Sequence, residues 1–325
     1  MEFATSITEE AVYEQPLLSI CVPTYNRPSL LRRTLTSLQS DRRDVEIIVT
    51  DNSTNSRSEQ VVKETLGYQV SPWRYHKNEP AVTPANNMNA GVRLAKGKYI
   101  YILHDDDYLL PGGLSKMLEK IEKNLSYPVL KFRVRVVDIH QRPIVRSLRF
   151  DLSQQEHYLR PELALQNLLS NSSYVRQPSV VLKREVYDKV GFWDDSKTPP
   201  NDTDMWMRVF SNFGVYCLPD SVSAYTIHTG SMTTTSFNYQ SLNILLGIFE
   251  AAKQKGILST EIYNRCKSSF FHQWLLASTF RYLLLGDYKT ARKVMRLFHS
   301  PGMNQLAVSV RWLPLKLVFK TILFV

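Results

Sequence analysis

Apolar runs of strand length alternate with helical patterns through the first third of this chain, and each long run ends in polar residues. Leu17–Val22, Val45–Thr50 and Tyr99–Leu103 read as buried strands, and Trp73–His76 as a shorter one. Between them lie three helical patterns: Pro28–Gln39, with Leu30, Leu31, Leu35 and Leu38 on one face; Ser58–Leu66; and Asn86–Lys96, stopped by Gly97. Alternation of this kind implies an α/β fold, a mostly parallel sheet with helices on both faces. Such sheets take ligands beyond the carboxyl ends of their strands. Pro23-Thr-Tyr-Asn26, Asp51-Asn-Ser-Thr54 and His104-Asp-Asp-Asp107 all fall at those ends.

Further along, residues 127–150 alternate like a half-exposed strand, residues 160–170 and 183–190 read as helical, and Asp204–Phe213 forms an amphipathic helix. After Thr235 the pattern changes to long helices, Tyr239–Gln254, Glu261–Leu285 and Tyr288–Phe298. The expected organisation is an N-terminal tail (1–16), an α/β domain (17–235) and a helical C-terminal region (236–325). Charge follows the same division. Residues 236–325 carry 12 Lys/Arg against 3 Asp/Glu, while the net charge of the whole chain is +10. The basicity thus belongs to the C-terminal region, and an anionic neighbour is expected there. The three cysteines, Cys21, Cys217 and Cys266, form no CxxC pair, which argues against a disulfide framework or a structural zinc site and fits a reducing compartment. No signal-peptide pattern and no uninterrupted apolar run of about 18 residues is present, so no standard membrane span is expected.

Four groups of residues carry candidate chemistry. Asp105, Asp106 and Asp107 crowd three carboxylates after a buried strand, an arrangement that either sits in solvent or holds a hard divalent cation and a diphosphate. Asp202, after Pro199-Pro200, is either a helix N-cap or a general base for a hydroxyl. Asp204 and Arg208 are spaced as an i,i+4 pair. His228 is a structural histidine, a metal ligand or a phosphate contact, and Asn86, Asn87 and Asn89 bind a sugar or nucleotide or cap their helix.

Taken in order, these segments resemble family 2 glycosyltransferases of the GT-A fold over roughly residues 17–235. The matching pieces are Ser19-Ile-Cys-Val-Pro-Thr-Tyr-Asn-Arg27, Ile48-Val-Thr-Asp-Asn-Ser-Thr54, Asn89-Ala-Gly91 with Ala95-Lys-Gly-Lys-Tyr99, and Leu103-His-Asp-Asp-Asp107 with Pro111. Lys183-Arg184 through Val190-Gly-Phe192, Asn201-Asp-Thr-Asp-Met-Trp-Met-Arg208, and His228 with Ser231 complete the set.

The resemblance implies an inverting transfer from a UDP- or dTDP-sugar to a saccharide or lipid-linked acceptor, in bacterial surface polysaccharide or glycan synthesis, with Mn2+ or Mg2+ as cofactor. Pro23, Tyr25, Arg27 and Asn89 would line the nucleotide pocket. Asp51 would accept the imide proton of the base, and Asp105 would lie near the ribose. Asp106 would be the principal metal ligand of an Asp-x-Asp motif, with Asp107 and His228 beside it. Asp202 would be the base.

Two positions depart from the family's usual residues: His104 stands where Asp is usual, and Asn201 where Glu is usual. These departures leave a sugar-nucleotide-binding pseudoenzyme, or a membrane-bound scaffold, as the competing readings. Arg311-Trp-Leu-Pro-Leu-Lys-Leu-Val-Phe-Lys-Thr-Ile-Leu-Phe-Val325 is apolar, aromatic and basic together, as suits a helix in the headgroup region of an anionic bilayer. The expected location is therefore cytoplasmic and peripheral, on the inner face of the cell membrane. No nucleic-acid motif is present, and acceptor specificity is expected to lie in loops such as 140–180.

Overall fold

A computed structural model of the chain describes residues 15–144, 155–228, 237–303, 305–307 and 309–324. The N-terminal tail up to residue 14, residues 145–154 and Ser231 lie outside the described residues.

The first half alternates as its sequence pattern requires. β1 (Leu18–Thr24), β2 (Val45–Asp51), β3 (Trp73–Lys77) and β4 (Tyr99–Ile102) are separated by α1 (Pro28–Thr36), α2 (Arg57–Leu66) and α3 (Pro84–Leu94). β1 pairs in parallel with both β2 and β4, in a register that sets Thr24 beside Asp51. The chain continues through β5 (Tyr108–Leu109), α4 (Gly113–Lys123), β6 (Val129–Asp138), β7 (His157–Leu159), α5 (Pro161–Ser170), β8 (Val180–Lys183), α6 (Arg184–Val190), α7 (Asn201–Phe213) and β9 (Val215–Ile227).

Among the described residues these strands form one mixed sheet, ordered β3-β2-β1-β4-β8-β6-β9-β5, with β7 paired to β9. β8 runs antiparallel to both its neighbours, whereas β6 and β9 run parallel to each other.

Side-chain alternation along the central strands feeds two cores. Leu18, Ile20 and Val22 of β1 pack with Leu31 and Leu35 of α1, Val62 of α2 and Met117 of α4 on one face. Cys21, Ile48 and Ile102 pack with Met88 of α3, Leu165 of α5 and Phe210 of α7 on the other. Burial on both faces explains why these strands read as continuous apolar runs. α8 (Tyr239–Gln254), α9 (Thr260–Leu284), α10 (Tyr288–Arg296) and α11 (Leu313–Leu323) extend the second core outward. Phe249, Phe271, Leu275 and Val294 belong to the same buried cluster as Phe210. All three cysteines are free and buried.

Several boundaries differ from the sequence expectation. The strand expected over 127–150 ends at Asp138, where its carboxylate accepts the amides of His140 and Arg142 and turns the chain. α3 begins at Pro84 because Thr83 caps it, accepting the Asn86 amide at 3.3 Å. Asn86, Asn87 and Asn89 therefore lie inside the helix and do not cap it. β5, β7 and β8 are too short to register as periodic patterns in sequence. Gly97 is not a helix stop, since α3 ends at Leu94. A Cβ there would stand 2.6 Å from both the Ser19 amide nitrogen and its Oγ.

That close approach generates a prediction. Gly97→Ala forces backbone apart at the start of β1 and costs about 1–3 kcal/mol in denaturant unfolding. Gly247→Ala, inside α8 with open space around it, stabilises by roughly 0.5–1 kcal/mol in the same measurement.

Candidate active site

The loops after β1, β2, β4 and β9 meet at one rim of the sheet, and the N-terminal turn of α7 approaches the residues that follow β4. The rim is organised around Asp105–Asp107, each of which is buried and held by its own set of neighbours. Asp105 accepts from Thr24 Oγ1 at 2.8 Å, the Tyr25 amide at 3.3 Å and Arg27 Nη1 at 3.2 Å. Asp106 Oδ2 receives Arg27 Nη1 at 3.0 Å and lies 2.9 Å from His228 Nε2. Asp107 Oδ1 accepts the Thr226 amide at 2.8 Å, while its Oδ2 is buried with no hydrogen-bond partner. α1 holds the same turn by its backbone. Thr34 Oγ1 donates to the carbonyls of Asp105 and Asp107, and Arg33 donates to that of Asp106.

These surroundings separate the three acids. Burial, then the charge of Asp106, pushes Asp105 above the usual carboxylate range against the pull of Arg27. Burial also opposes ionisation of Asp106, but the His228 hydrogen bond and the charges of His104 and Arg27 outweigh it and hold that carboxyl below its ordinary value. Burial and the neighbouring Asp106 push Asp107 well above the ordinary value. Three adjacent carboxylates in one buried turn are mutually repulsive, and a cation relieves the repulsion. One nitrogen of His104 and one oxygen each of Asp106 and Asp107 lie within 4.8 Å of one another. This donor set and the orphaned Asp107 oxygen fit a divalent cation.

Asp202 does not cap α7. The helix starts one residue earlier, at Asn201, with Pro200 in the cap position and no side-chain cap bond. The carboxylate of Asp202 is thereby left for other work. Burial raises its pKa, with His104 and Trp193 opposing. His104 acts electrostatically on both Asp106 and Asp202, which ties the helix-borne acid to the strand-borne cluster.

Trp193, absent from the sequence expectations, is fixed beside Asp202 from two sides. Asn89 brackets its backbone, donating to the Trp193 carbonyl at 2.9 Å and accepting its amide at 3.0 Å. Arg208, held by Asp204 at 2.8 Å, donates to the carbonyls of Val190 and Phe192. The Asp204–Arg208 pair thus anchors the turn that carries Trp193. Nothing in one sequence signals the pairing of Asn89 with Trp193, 104 residues apart.

On the other side of the rim, Pro23 is half-buried and Tyr25 is 55% exposed above the end of β1. Asn26 takes a left-handed conformation (φ 53°), accepts the Thr54 amide and donates its own amide to Ser53, joining the loops after β1 and β2. Asp51 is fully buried, accepting the Ser53 amide at 2.6 Å, Tyr75 OH at 2.7 Å and Lys77 Nζ at 3.4 Å. Asn87 donates to the Thr24 carbonyl and accepts from Asn78, so it too ties the loops together.

Comparison with known proteins bears on the fold and the family. The sequence profile of Glycosyl transferase family 2 matches residues 19–191. An uncharacterized glycosyltransferase of Methanocaldococcus jannaschii is 29% identical over 204 residues, 61% of this chain and 66% of that protein, just under two thirds of its length. The GalNAc(5)-diNAcBac-PP-undecaprenol beta-1,3-glucosyltransferase of Campylobacter jejuni is 35% identical over 114 residues, 34% of this chain and 37% of that protein. Among solved structures, S. aureus TarS 1–349 in complex with UDP-GlcNAc superposes with a TM-score of 0.63 at 15% identity, covering 86% of this chain and 80% of TarS. The mannosyltransferase PcManGT of Pyrobaculum calidifontis, in complex with GDP-Man and Mn2+, gives 0.59 at 15% identity, covering 96% and 84%. The fold is therefore GT-A, and the profile covers more than half of the chain: this protein belongs to glycosyl transferase family 2.

Proposed function

We propose that this chain is an inverting, metal-dependent glycosyltransferase that moves a sugar from a nucleoside diphosphate donor to a hydroxyl of a saccharide or lipid-linked acceptor. One observation carries the reading. The Asp105–Asp107 cluster and Asp202, about a hundred residues apart in sequence, share one rim and one intervening histidine, His104. A pseudoenzyme needs only the first of these groups. The TarS and PcManGT complexes hold UDP-GlcNAc and GDP-Man, and the Campylobacter relative's name gives it a diphosphoundecaprenol-linked acceptor.

The donor lies across the rim with its base between Pro23, Tyr25 and the end of β2. An ionised carboxylate has about four acceptor positions. Asp51 uses three of them internally and is fully buried, so the imide N–H of uracil or thymine reaches the fourth only by displacing one of its neighbours. Asp105 faces the ribose side, held by Thr24 and Arg27. Asp106 and Asp107 would hold the cation, and His228 orients Asp106 through its 2.9 Å contact. Mn2+ or Mg2+ supplies Lewis-acid neutralisation of the leaving diphosphate.

Asp202 takes the proton of the acceptor hydroxyl as that oxygen attacks the anomeric carbon from the face opposite the diphosphate. Its raised pKa makes it a better base than an exposed aspartate near 3.9. A single carboxylate base, with no second nucleophile assigned, gives one displacement and inversion.

A membrane surface is part of the same proposal. No helix among the described residues is long and apolar enough to cross a membrane. The buried side of α11 is Phe319 and Leu323, with Phe319 stacked on Phe280 and Arg292 Nε donating to the Leu323 carbonyl. Its opposite side is apolar as well: Leu313, Leu317, Val318 and Ile322 are all exposed. Residues 288–325 contain seven Lys/Arg and no Asp/Glu. An apolar outer stripe within a purely basic segment matches an anionic bilayer interface. Peripheral attachment to the inner face of the cell membrane would bring the rim to a lipid-linked acceptor.

Three outcomes are expected. Asp202→Asn lowers kcat by about 10²–10⁴-fold while nucleotide affinity by calorimetry stays within twofold; wild-type-like turnover in that variant removes the base. In the wild type, kcat/KM falls on acidification through a range above that of an exposed aspartate, because the essential form is the ionised one. Leu317→Asp with Ile322→Asp reduces sedimentation with phosphatidylglycerol vesicles, and about 0.5 M salt weakens wild-type binding; unchanged sedimentation of the double variant excludes α11 as the contact.

A further inference from the structure

His104 stands where the family usually has aspartate, and the structure gives that exchange a chemical meaning. We propose that His104 is a nitrogen ligand of the active-site cation, which makes the protein set of ligands one imidazole and two carboxylates and turns its preference from magnesium toward first-row transition metals. This rests on the metal-dependent reading above and goes beyond it by naming the ligand and the class of ion.

The argument begins with geometry. A ring nitrogen of His104 and one oxygen each of Asp106 and Asp107 fall within 4.8 Å of one another. Adjacent ligand atoms about 2.1 Å from an octahedral cation lie about 3 Å apart, so small side-chain rotations close this set. Asp107 supplies the independent sign that a ligand is missing. It is 1% exposed, its Oδ1 takes the Thr226 amide, and its Oδ2 is buried without a partner. A buried carboxylate oxygen left unsatisfied is destabilising, and a cation shared with His104 and Asp106 satisfies it.

The neighbours of His104 fit the role. Its Nε2 lies 3.4 Å from the Met88 thioether. Where the thioether accepts from Nε2–H, the ring keeps a lone pair on Nδ1, which a metal can take. His228 is placed differently. Its Nε2 is already engaged with Asp106 Oδ2 at 2.9 Å, and its backbone carbonyl receives Arg281 Nη2 at 3.2 Å. A histidine bonded to a liganding carboxylate orients that carboxylate and tunes the ion, while His104 binds the ion itself. Magnesium prefers oxygen donors and gives up water reluctantly, whereas imidazole favours transition metals. Replacing the usual carboxylate by His104 also removes one negative charge from the site.

The test uses the full chain with Mn2+ and UDP. Pulsed electron paramagnetic resonance of the bound Mn2+ is expected to show directly coordinated imidazole nitrogen. The signal persists in His228→Gln and disappears in His104→Gln and His104→Asp. By calorimetry, His104→Asp lowers the ratio of Mn2+ to Mg2+ affinity by about tenfold. Circular dichroism checks that each variant is folded. Bound Mn2+ with only oxygen ligands in the wild type, a nitrogen signal that survives loss of His104, or an unchanged affinity ratio in folded His104→Asp each overturns the His104 assignment and leaves the glycosyltransferase reading standing. Failure of Mn2+ to bind at all, with or without UDP, overturns the metal-dependent reading and this proposal together.

Discussion

The rim of this protein is built around the repulsion among three consecutive carboxylates. Left in one buried turn without partners, Asp105–Asp107 would not stay ionised together. The fold answers with groups from separate elements: Thr24 at the end of β1 and Arg27 beyond it for Asp105, Arg27 and His228 for Asp106, the Thr226 amide of β9 for Asp107, and Thr34 and Arg33 of α1 for the backbone. Arg27 serves two of the acids at once, at 3.2 and 3.0 Å. The acidic turn therefore fixes the relative positions of β1, α1 and β9 as much as they fix it. Even so, one oxygen of Asp107 stays unsatisfied. A buried carboxylate oxygen left open in an otherwise closely held turn is arranged for something that arrives from outside.

The helical C-terminal region is connected to this rim. It extends the α5/α7 core, so that Phe249 and Phe271 share a buried cluster with Phe210 and Trp206. α7 carries Asp202 at its N-terminal end and that shared core along its length. Arg281 of α9 donates to the carbonyl of His228 at 3.2 Å. One helical turn beyond Arg281, Leu284 and Leu285 are 71% and 55% exposed, and Tyr288 follows at 57%. Tyr288 and Arg292 lie one turn apart on α10, and Arg292 caps the end of α11. The exposed apolar tip of α9–α10 and the C-terminal end of α11 thus share one corner, joined by α9 to the residue beside Asp106.

Much of this was legible in the sequence because it rests on local patterns. Strands buried on both faces give unbroken apolar runs, and the loops after β1, β2 and β4 announce themselves as polar interruptions. The acids at the rim could be named for the same reason. What could not be read is the pairing of distant groups. Asn89 looked like a pocket residue or a cap, and in the structure both ends of its amide hold the Trp193 backbone. Asp202 looked like an N-cap because it follows two prolines, yet the helix begins at Asn201. Trp193 carries no periodic signal, and its place beside Asp202 depends on Arg208 reaching Val190 and Phe192.

The position of His104 links the two halves of the chemistry. A general base at the N-terminal turn of a helix feels the positive end of the helix dipole, which favours its ionised form by about 0.3–1 kcal/mol. Burial opposes this and is the larger effect for Asp202, whose pKa is raised on balance. A carboxylate at position 104 would add a negative charge next to Asp202, where His104 now pulls the pKa down, and would push that pKa further up. Imidazole avoids the added charge: neutral, it repels nothing; protonated, it favours the anion. His104 also helps hold Asp106 below its ordinary value, after the His228 hydrogen bond. On the proposed roles, the departure from the family's usual residue therefore favours the anionic form of both the base and the carboxylate that would hold the cation, within one buried rim.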